Sequence, residues 1–532
     1  MDRLIILIRI IKREFVFCIS VTGTLILHLV VAWQPLGRLE GFTFLWSKGP
    51  LIDDSYIFFK ISRDLADLFS GYLPSFQLSS GFQPLIALLY SPFFSLFWDQ
   101  KEIPIHLALS LNAFLGFFAN IFLYNLLRKI VNRSIATFLV SVWIWSPYVM
   151  NQTINGMETP LALLLIFWII SYYWKINQDS SSAYRPWFFL GLLLGIGFWA
   201  RVDLGMLGVA IVFDQAWLAV KSDGHLRLLR LRNIFLCGLT AVIIASPWMI
   251  FTVVNTGDIV PISGKGVHQI TSITFDYRNP NHPGFPFMMF DRFRKEFFLY
   301  QPLVSLSSHA VWQLLITGLS LIGFLLAVRM RQARTLLRPV WLFQLFLLLS
   351  YIGFVGGFWH LNRYLYPVYT LMLFLHAATL HYVSSRVKVR QWIVPLLLFF
   401  VFILYAVSFT TEYHSFLSKP SPSRYFAASH FARFHVDPKA RIGTFQSGAL
   451  SYWLDNQVVN LDGVINEEAY FHLKNKTMDV YLEQQKIDFL MEEVYLFKMW
   501  NHYLNNQLSE NYSMVSKKPG RGWYELGIYK RK

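Results

Sequence analysis

Cysteine is nearly absent from this chain: its 532 residues include two, Cys18 and Cys237. Both lie in apolar segments, which excludes a disulfide framework or a thiolate metal cluster. Charge is scarce as well. Asp, Glu, Lys and Arg make up 15% of the residues against 55% hydrophobic ones, a balance that belongs to a polytopic membrane protein and not to a soluble one. Acidic residues are the scarcer sign, 31 against 47 Lys and Arg, for a formal net charge of +16. That surplus does not mark a nucleic-acid partner, because the cations cluster in short runs between apolar segments, as the positive-inside rule expects. No P-loop GxxxxGK[ST], Rossmann GxGxxG or HExxH occurs, so ATP hydrolysis, cytoplasmic nucleotide-sugar binding and zincin proteolysis lose support. Neither an internal repeat nor a low-complexity tract is present. The first apolar run lacks a clear small-residue cleavage site and reads as a retained anchor.

Long apolar runs are what the chain has in plenty. About eleven stretches have the length and hydropathy to cross a bilayer: 15–34, 105–127, 134–149, 158–174, 186–200, 202–220, 233–254, 310–329, 339–357, 364–383 and 392–410. Arg3, Arg9, Lys12 and Arg13 precede the first and place the N-terminus in the cytoplasm. The loops carrying Arg128, Lys129 and Arg133, then Lys175 and Arg185, then Lys221 to Arg232, Arg329 to Arg338 and Arg386 to Arg390 all fall on that same side. Gln83 to Trp98 is apolar but short, with Pro92 inside it. Counting it as a span inverts every later loop, so it reads as a helix at or dipping into the outer interface. Arg201-Val202-Asp203 separates two spans either as a tight outer hairpin or as a break in one long helix.

After Phe409 the pattern changes. Strand-like runs at Arg441 to Phe445, Gln457 to Leu461, 487–491 and Trp523 to Tyr529 alternate with helical ones near 466–485, and Asp462-Gly463 is a turn pair. The expected architecture is an α-helical polytopic membrane domain, 1–410, followed by a small α/β domain, 411–532. The membrane domain includes a first outer loop, 35–104, with interfacial helices. An odd number of spans puts the second domain outside, beside that loop.

With this topology, the polar residues that break apolar context gather on the outer face: Asp53, Asp54, Lys60, Arg63, Glu158, Arg201, Asp203, Lys265, His268, His360 and Arg363. Charges at membrane depth are costly and face a cavity or a partner. Asp53 and Asp54 head an amphipathic segment, DDSYIFFKISRDLADLF. Either acid can take a proton from an acceptor hydroxyl, which makes that oxygen a competent nucleophile. Glu158 adds a carboxylate on the same face, or serves only the dipole of the helix it begins. Asp54 and Glu158 together form a possible oxygen site for a divalent cation. Lys265, His268 and Arg363 are placed to clamp a phosphate or diphosphate and neutralise it as a leaving group. Arg201 and Asp203 either join that site or simply pair with each other. His309 and His376 read as packing or interfacial residues.

Five segments carry a family resemblance by their order and common side. They are Asp53-Asp54-Ser55-Tyr56-Ile57, Gly81-Phe82-Gln83-Pro84-Leu85, Asn155-Gly156-Met157-Glu158-Thr159, Ala200-Arg201-Val202-Asp203 and Arg363-Tyr364-Leu365-Tyr366-Pro367. The chain resembles the GT-C superfamily of integral-membrane glycosyltransferases, which use polyprenyl-phosphate sugars. Its pattern is similar to the bacterial group that includes mycobacterial arabinofuranosyltransferases, with protein mannosyltransferases and the lipid A aminoarabinose transferase as further relatives. The likeness covers about residues 45–370. It implies a catalytic aspartate in the first outer loop, here Asp53 or Asp54, a glycan, lipid or protein acceptor, inversion at the anomeric carbon, and a bacterial plasma membrane. Gln83-Pro84 stands where several relatives have Pro-Pro or His-Pro, which leaves the donor sugar open. A transporter or flippase of lipid-linked saccharides is the second reading. It would also line a cavity with acids and cations, but the duplicated halves common in transporters are missing.

Overall fold

The computed structural model describes residues 14–41, 50–69, 79–178, 183–278, 310–329, 331–357, 361–386, 425–518 and 525–532, with a few isolated residues between them. Among these, six helices are long and apolar enough to cross a membrane: Phe15–Ala32, Ile103–Leu127, Thr159–Gln178, Val202–Val220, Gly224–Thr256 and Leu336–Gly353. Pro84–Leu96, Arg133–Ile144 and Arg185–Ala200 are apolar but shorter. The long helices leave large apolar side chains uncovered on one side. Phe118, Phe188, Phe213, Phe235, Val242 and Ile250 are all exposed, as lipid-facing side chains are. The chain is a mostly helical, multi-pass membrane protein.

Several expected spans are divided. The run 134–149 breaks at Ser146-Pro147 into Arg133–Ile144 and Pro147–Thr153, since the residue before a proline resists helical backbone. The run 364–383 becomes Leu361–Tyr364, Tyr366–Leu371 and Leu373–Arg386, and 392–410 lies outside the described residues. Arg201 is extended, with φ −163° and ψ 119°, and a short 3₁₀ turn, Val202–Leu204, follows it. Gly208 lies against Leu194, a contact between residues fourteen positions apart that a continuous helix would separate by about 21 Å. The segment is therefore a hairpin.

The two ends of the helical part differ in character. Phe17 stacks on Tyr124 at 3.8 Å, while His106 contacts Ala32 O at 2.7 Å, so the first helix and Ile103–Leu127 run antiparallel. Glu14 bridges to Arg128 and Arg133 at one end, each at 3.0 Å. Asp53 and Asp54 belong to the other, in the first turn of α1 (Asp53–Phe69). That helix is amphipathic: Tyr56, Phe59 and Ile61 are buried, and it packs on Pro84–Leu96.

Residues 442–531 carry a five-stranded sheet of order β2-β1-β3-β5-β4. The strands are β1 (Ile442–Thr444), β2 (Val458–Asn460), β3 (Phe489–Glu493), β4 (Tyr512–Lys518) and β5 (Leu526–Arg531). β1 runs parallel to β2 and β3, and β5 is antiparallel to β3 and β4. Both sheet faces are covered: Leu461, Leu473, Ile487 and Trp500 pack in one cluster, Ile442, Leu450, Met491 and Ile528 in another. Strands buried on both faces read as apolar runs, which is why β1 to β3 are visible in the sequence. β4 was not expected there. It is an edge strand with Met514 and Val515 exposed, and its polar composition carries no strand signal.

Candidate active site

α1 is held to the membrane helices through the Asn155–Thr159 turn. Ser55 Oγ donates to Asn155 O at 2.7 Å, and Asn155 Oδ1 accepts the Met157 N–H at 3.0 Å. Asn112 Nδ2 then donates to Met157 O at 3.0 Å. Gly156 sits at φ +71°, and a Cβ there would lie 2.5 Å from the Phe59 ring of α1, so both backbone and space call for glycine. This turn sets Glu158 at the head of Thr159–Gln178, 5% exposed.

Arg363 closes the site from the far end of the sequence. Its Nη1 lies 2.9 Å from Asp54 Oδ2 and 3.0 Å from Met157 Sδ, and Nη2 donates to Tyr364 OH at 3.2 Å. Next to it, Arg201 Nη2 pairs with Asp203 Oδ2 at 2.7 Å and donates to Tyr364 O at 3.0 Å. Tyr351 OH donates to the same Asp203 oxygen at 2.6 Å, and the Tyr351 and Tyr364 rings stack 4.8 Å apart. The charge of Glu158 acts on both guanidinium groups. Gln83, the departure from the family pattern, accepts the Val202 N–H at 3.3 Å and so steadies the Arg201 turn.

The network is incomplete. Glu158 Oε2, Arg201 Nη1, Asp203 Oδ1 and Arg363 Nε are buried and lack hydrogen-bond partners among the described residues. A buried polar atom left unpaired costs about 1–3 kcal/mol, so four in one cluster mark a place that a polar ligand would complete.

Asp53 is placed differently from Asp54. Its Oδ2 and Oδ1 accept the N–H groups of Gly448 and Ala449, each at 2.9 Å, at the start of α3 (Gly448–Trp453). A Cβ on Gly448 would fall 2.0 Å from Asp53 O. Tyr56 packs beside Tyr452 and Trp453, and Lys101 reaches Asp455 at 2.8 Å and Trp453 O at 3.0 Å. Glu467 accepts from Ser79 Oγ and the Ser80 N–H at 3.1 and 3.2 Å. The sheet region is thus clasped to the first loop.

Of the other expected residues, Lys60 pairs with buried Asp64 at 2.5 Å, and Arg63 donates to Trp98 O at 3.2 Å. At 100° per residue, Arg63 projects from α1 on the side opposite Asp54. Lys265 bonds Asp258 at 2.9 Å within its own segment, and His268 lies one turn on along α2 (Ile262–Arg278). His376 is buried, 3.5 Å from Ser320 Oγ; His309 and His360 lie outside the described residues. Sequence reading missed Tyr351, Tyr364, Met157 and Gln83; Gln83, Met157 and Tyr364 had a signal as members of motifs, and Tyr351 had none.

A divalent cation is not well matched here. Among the described residues no three His, Cys, Asp or Glu come together as a metal site. Asp54 already faces one guanidinium and Glu158 acts on two. The donor set suits an anionic group better than a second cation.

Comparison with known proteins bears on the fold. Residues 83–251 match the family model described as dolichyl-phosphate-mannose-protein mannosyltransferase. Residues 417–529 match a domain family of unknown function. No curated protein matches by sequence. Among solved structures, ArnT from Cupriavidus metallidurans bound to undecaprenyl phosphate superposes with a TM-score of 0.52 at 12% identity, over 96% of this chain and 98% of that one. AglB, an archaeal oligosaccharyltransferase from Archaeoglobus fulgidus, in complex with an inhibitory peptide and a dolichol-phosphate, gives 0.50 at 10% identity, over 98% of this chain and 75% of that one. The chain has the GT-C fold, as the order of its motifs led one to expect.

Proposed function

We propose that this protein is an extracytoplasmic glycosyltransferase that moves a sugar from a polyprenyl-phosphate donor to a hydroxyl acceptor of a cell-envelope glycan, lipid or protein. The observation that carries the reading is the Asp54–Arg363 pair set among buried, unpartnered polar atoms of Glu158, Arg201, Asp203 and Arg363. Neighbours in fold whose structures were solved with undecaprenyl phosphate and with a dolichol-phosphate support the donor class. In this reading the chain divides near residue 410, with the N-terminus cytoplasmic and 411–532 on the outer face of a plasma membrane.

Arg363 and Arg201 hold the donor phosphate, with Lys265 and His268 approaching from α2. Binding of the phosphate by Arg363 releases the Asp54 oxygen that Arg363 now occupies. Asp54 then takes the proton of the acceptor hydroxyl as that oxygen attacks the anomeric carbon. The bond from that carbon to the phosphate oxygen breaks, its electron pair stays on the phosphate, and the configuration inverts. Glu158 orients the sugar. Asp53 keeps Asp54 in register by anchoring the first turn of α1 to α3.

The test is sugar transfer by the purified protein in nanodiscs, with a panel of polyprenyl-phosphate sugars, against Asp54→Asn. The expected result is turnover of one donor that the variant loses while remaining folded and inserted. Wild-type turnover by the variant refutes the role of Asp54. Lipid-linked sugar crossing the bilayer without donor consumption replaces the reading with a flippase.

A further inference from the structure

A cavity of about 220 Å³ opens between the first loop and the region that follows the membrane helices. Lys101 and Glu102 line one side of it, and Phe426, His430 and Arg433 of the helix Tyr425–His435 line the other. The spacing of those three, one and then nearly two turns apart, puts them on one helix face. Trp453, at the end of α3, completes the wall. A single water needs about 10–15 Å³ of such space, so the cavity has room for an organic group.

The polar groups around it are only partly engaged. Lys101 Nζ is paired with Asp455 at 2.8 Å and donates to Trp453 O at 3.0 Å. Arg433 donates to the same carbonyl through Nη2 at 2.6 Å; its Nη1 and Nε bond to none of the described residues. Glu102 does not cap the helix it precedes, and its carboxylate makes no hydrogen bond or ion pair among the described residues. Trp453 Nε1 is buried and has no hydrogen-bond partner among them. With Lys101 neutralised by Asp455, the open charges are one guanidinium and one carboxylate. An anion alone would be repelled by Glu102 and a cation alone by Arg433. A zwitterion satisfies both.

The surroundings place the cavity at the edge of the bilayer. Glu102 directly precedes Ile103–Leu127, one of the helices able to cross a membrane. Trp33, at the end of the first such helix, donates to Ser110 Oγ at 3.0 Å, so two spans end side by side here. The helix Tyr425–His435 packs against Leu36–Gly41, which follows the first span. Leu96, Trp98 and Phe434 are 71%, 72% and 84% exposed. Uncovered aromatic and apolar side chains beside charged groups at the mouths of spans belong at headgroup depth.

We propose that this cavity binds the headgroup of a zwitterionic phospholipid, with the phosphate against Arg433, Lys101 and Trp453 Nε1, the amine against Glu102, and the acyl chains along Leu96, Trp98 and Phe434. The lipid bridges the membrane part to the helix that leads into the sheet region. None of the lining residues belongs to the Asp54–Arg363 cluster, and the proposal does not depend on the glycosyltransferase reading.

The experiment is native mass spectrometry of the full-length protein, delipidated in detergent and titrated with phosphatidylethanolamine, phosphatidylglycerol or water-soluble glycerophosphoethanolamine. The wild type is expected to bind phosphatidylethanolamine about tenfold more tightly than phosphatidylglycerol, the effect of one hydrogen bond to a charged group. Arg433→Gln weakens phosphatidylethanolamine binding by about tenfold for the same reason, and Glu102→Gln abolishes the preference between the two lipids. Glu102→Gln breaks no bond among the described residues, so it tests the site even where Arg433→Gln unsettles α3. Equal wild-type affinity for the two lipids overturns the proposal, as does a preference in Glu102→Gln within about twofold of wild type. Glycerophosphoethanolamine binding as tightly as the lipid overturns the membrane source and makes the cavity a site for a soluble phosphate.

Discussion

Replacing Asp53 by Ala separates the anchoring acid from the reacting one. Asp53 accepts two N–H groups of α3, both at 2.9 Å. A hydrogen bond to an ionised acceptor contributes about 1.5–3 kcal/mol, and the lower figure applies because Asp53 is partly exposed. Two such bonds give a loss of about 3 kcal/mol in the local stability of α3 against α1. Since 1.4 kcal/mol is a factor of ten, the amides of Gly448 and Ala449 are expected to exchange roughly a hundredfold faster in hydrogen-exchange mass spectrometry. The β3 and β5 amides, held by their own ladder, keep their protection. Gly448→Ala should reproduce the effect with the carboxylate intact, because its Cβ would collide with Asp53 O at 2.0 Å. Exchange of α3 within about threefold of wild type in Asp53→Ala would refute the anchoring role.

The remaining predictions concern stability. Gly156→Ala combines a left-handed backbone with a 2.5 Å approach to Phe59, and it should cost about 2–4 kcal/mol, seen as a lowered Tm. Glu492 is buried and accepts the N–H groups of Phe445 and Gln446, at 2.9 and 3.3 Å, and of Glu493, at 3.0 Å. Burial, with repulsion from Glu493 and Asp53, pushes its carboxyl up to about 8, against about 4.3 in an unfolded chain. The folded state therefore binds the extra proton. Stability is fullest below the unfolded value and falls as pH rises toward 8, by up to about 1.4 kcal/mol per unit. Asp462 adds the same sign up to about 7. Melting temperatures from pH 5 to 8 should fall in wild type and fall less in Glu492→Gln; an unchanged slope in the variant refutes the assignment.

What the sequence by itself determined follows from local physics. Run length and hydropathy mark helices able to cross a bilayer because each such helix satisfies its own backbone in apolar surroundings. The alternation of α1 shows which face is buried, and apolar runs betray β1 to β3. The five ordered segments, Asn155–Thr159 among them, pointed to the fold. Tertiary structure alone decided the partners. Asp53 and Asp54 are neighbours in sequence, yet one meets Gly448 and Ala449 and the other meets Arg363. Arg201 reaches Tyr364, the neighbour and partner of Arg363, across 163 positions. Gln83 serves the Arg201 turn. Hydropathy and propensity are properties of a few consecutive residues. The partner of a charge is set by which distant segments the packed helices and sheet bring within about 3 Å, and that information exists only once the chain has folded.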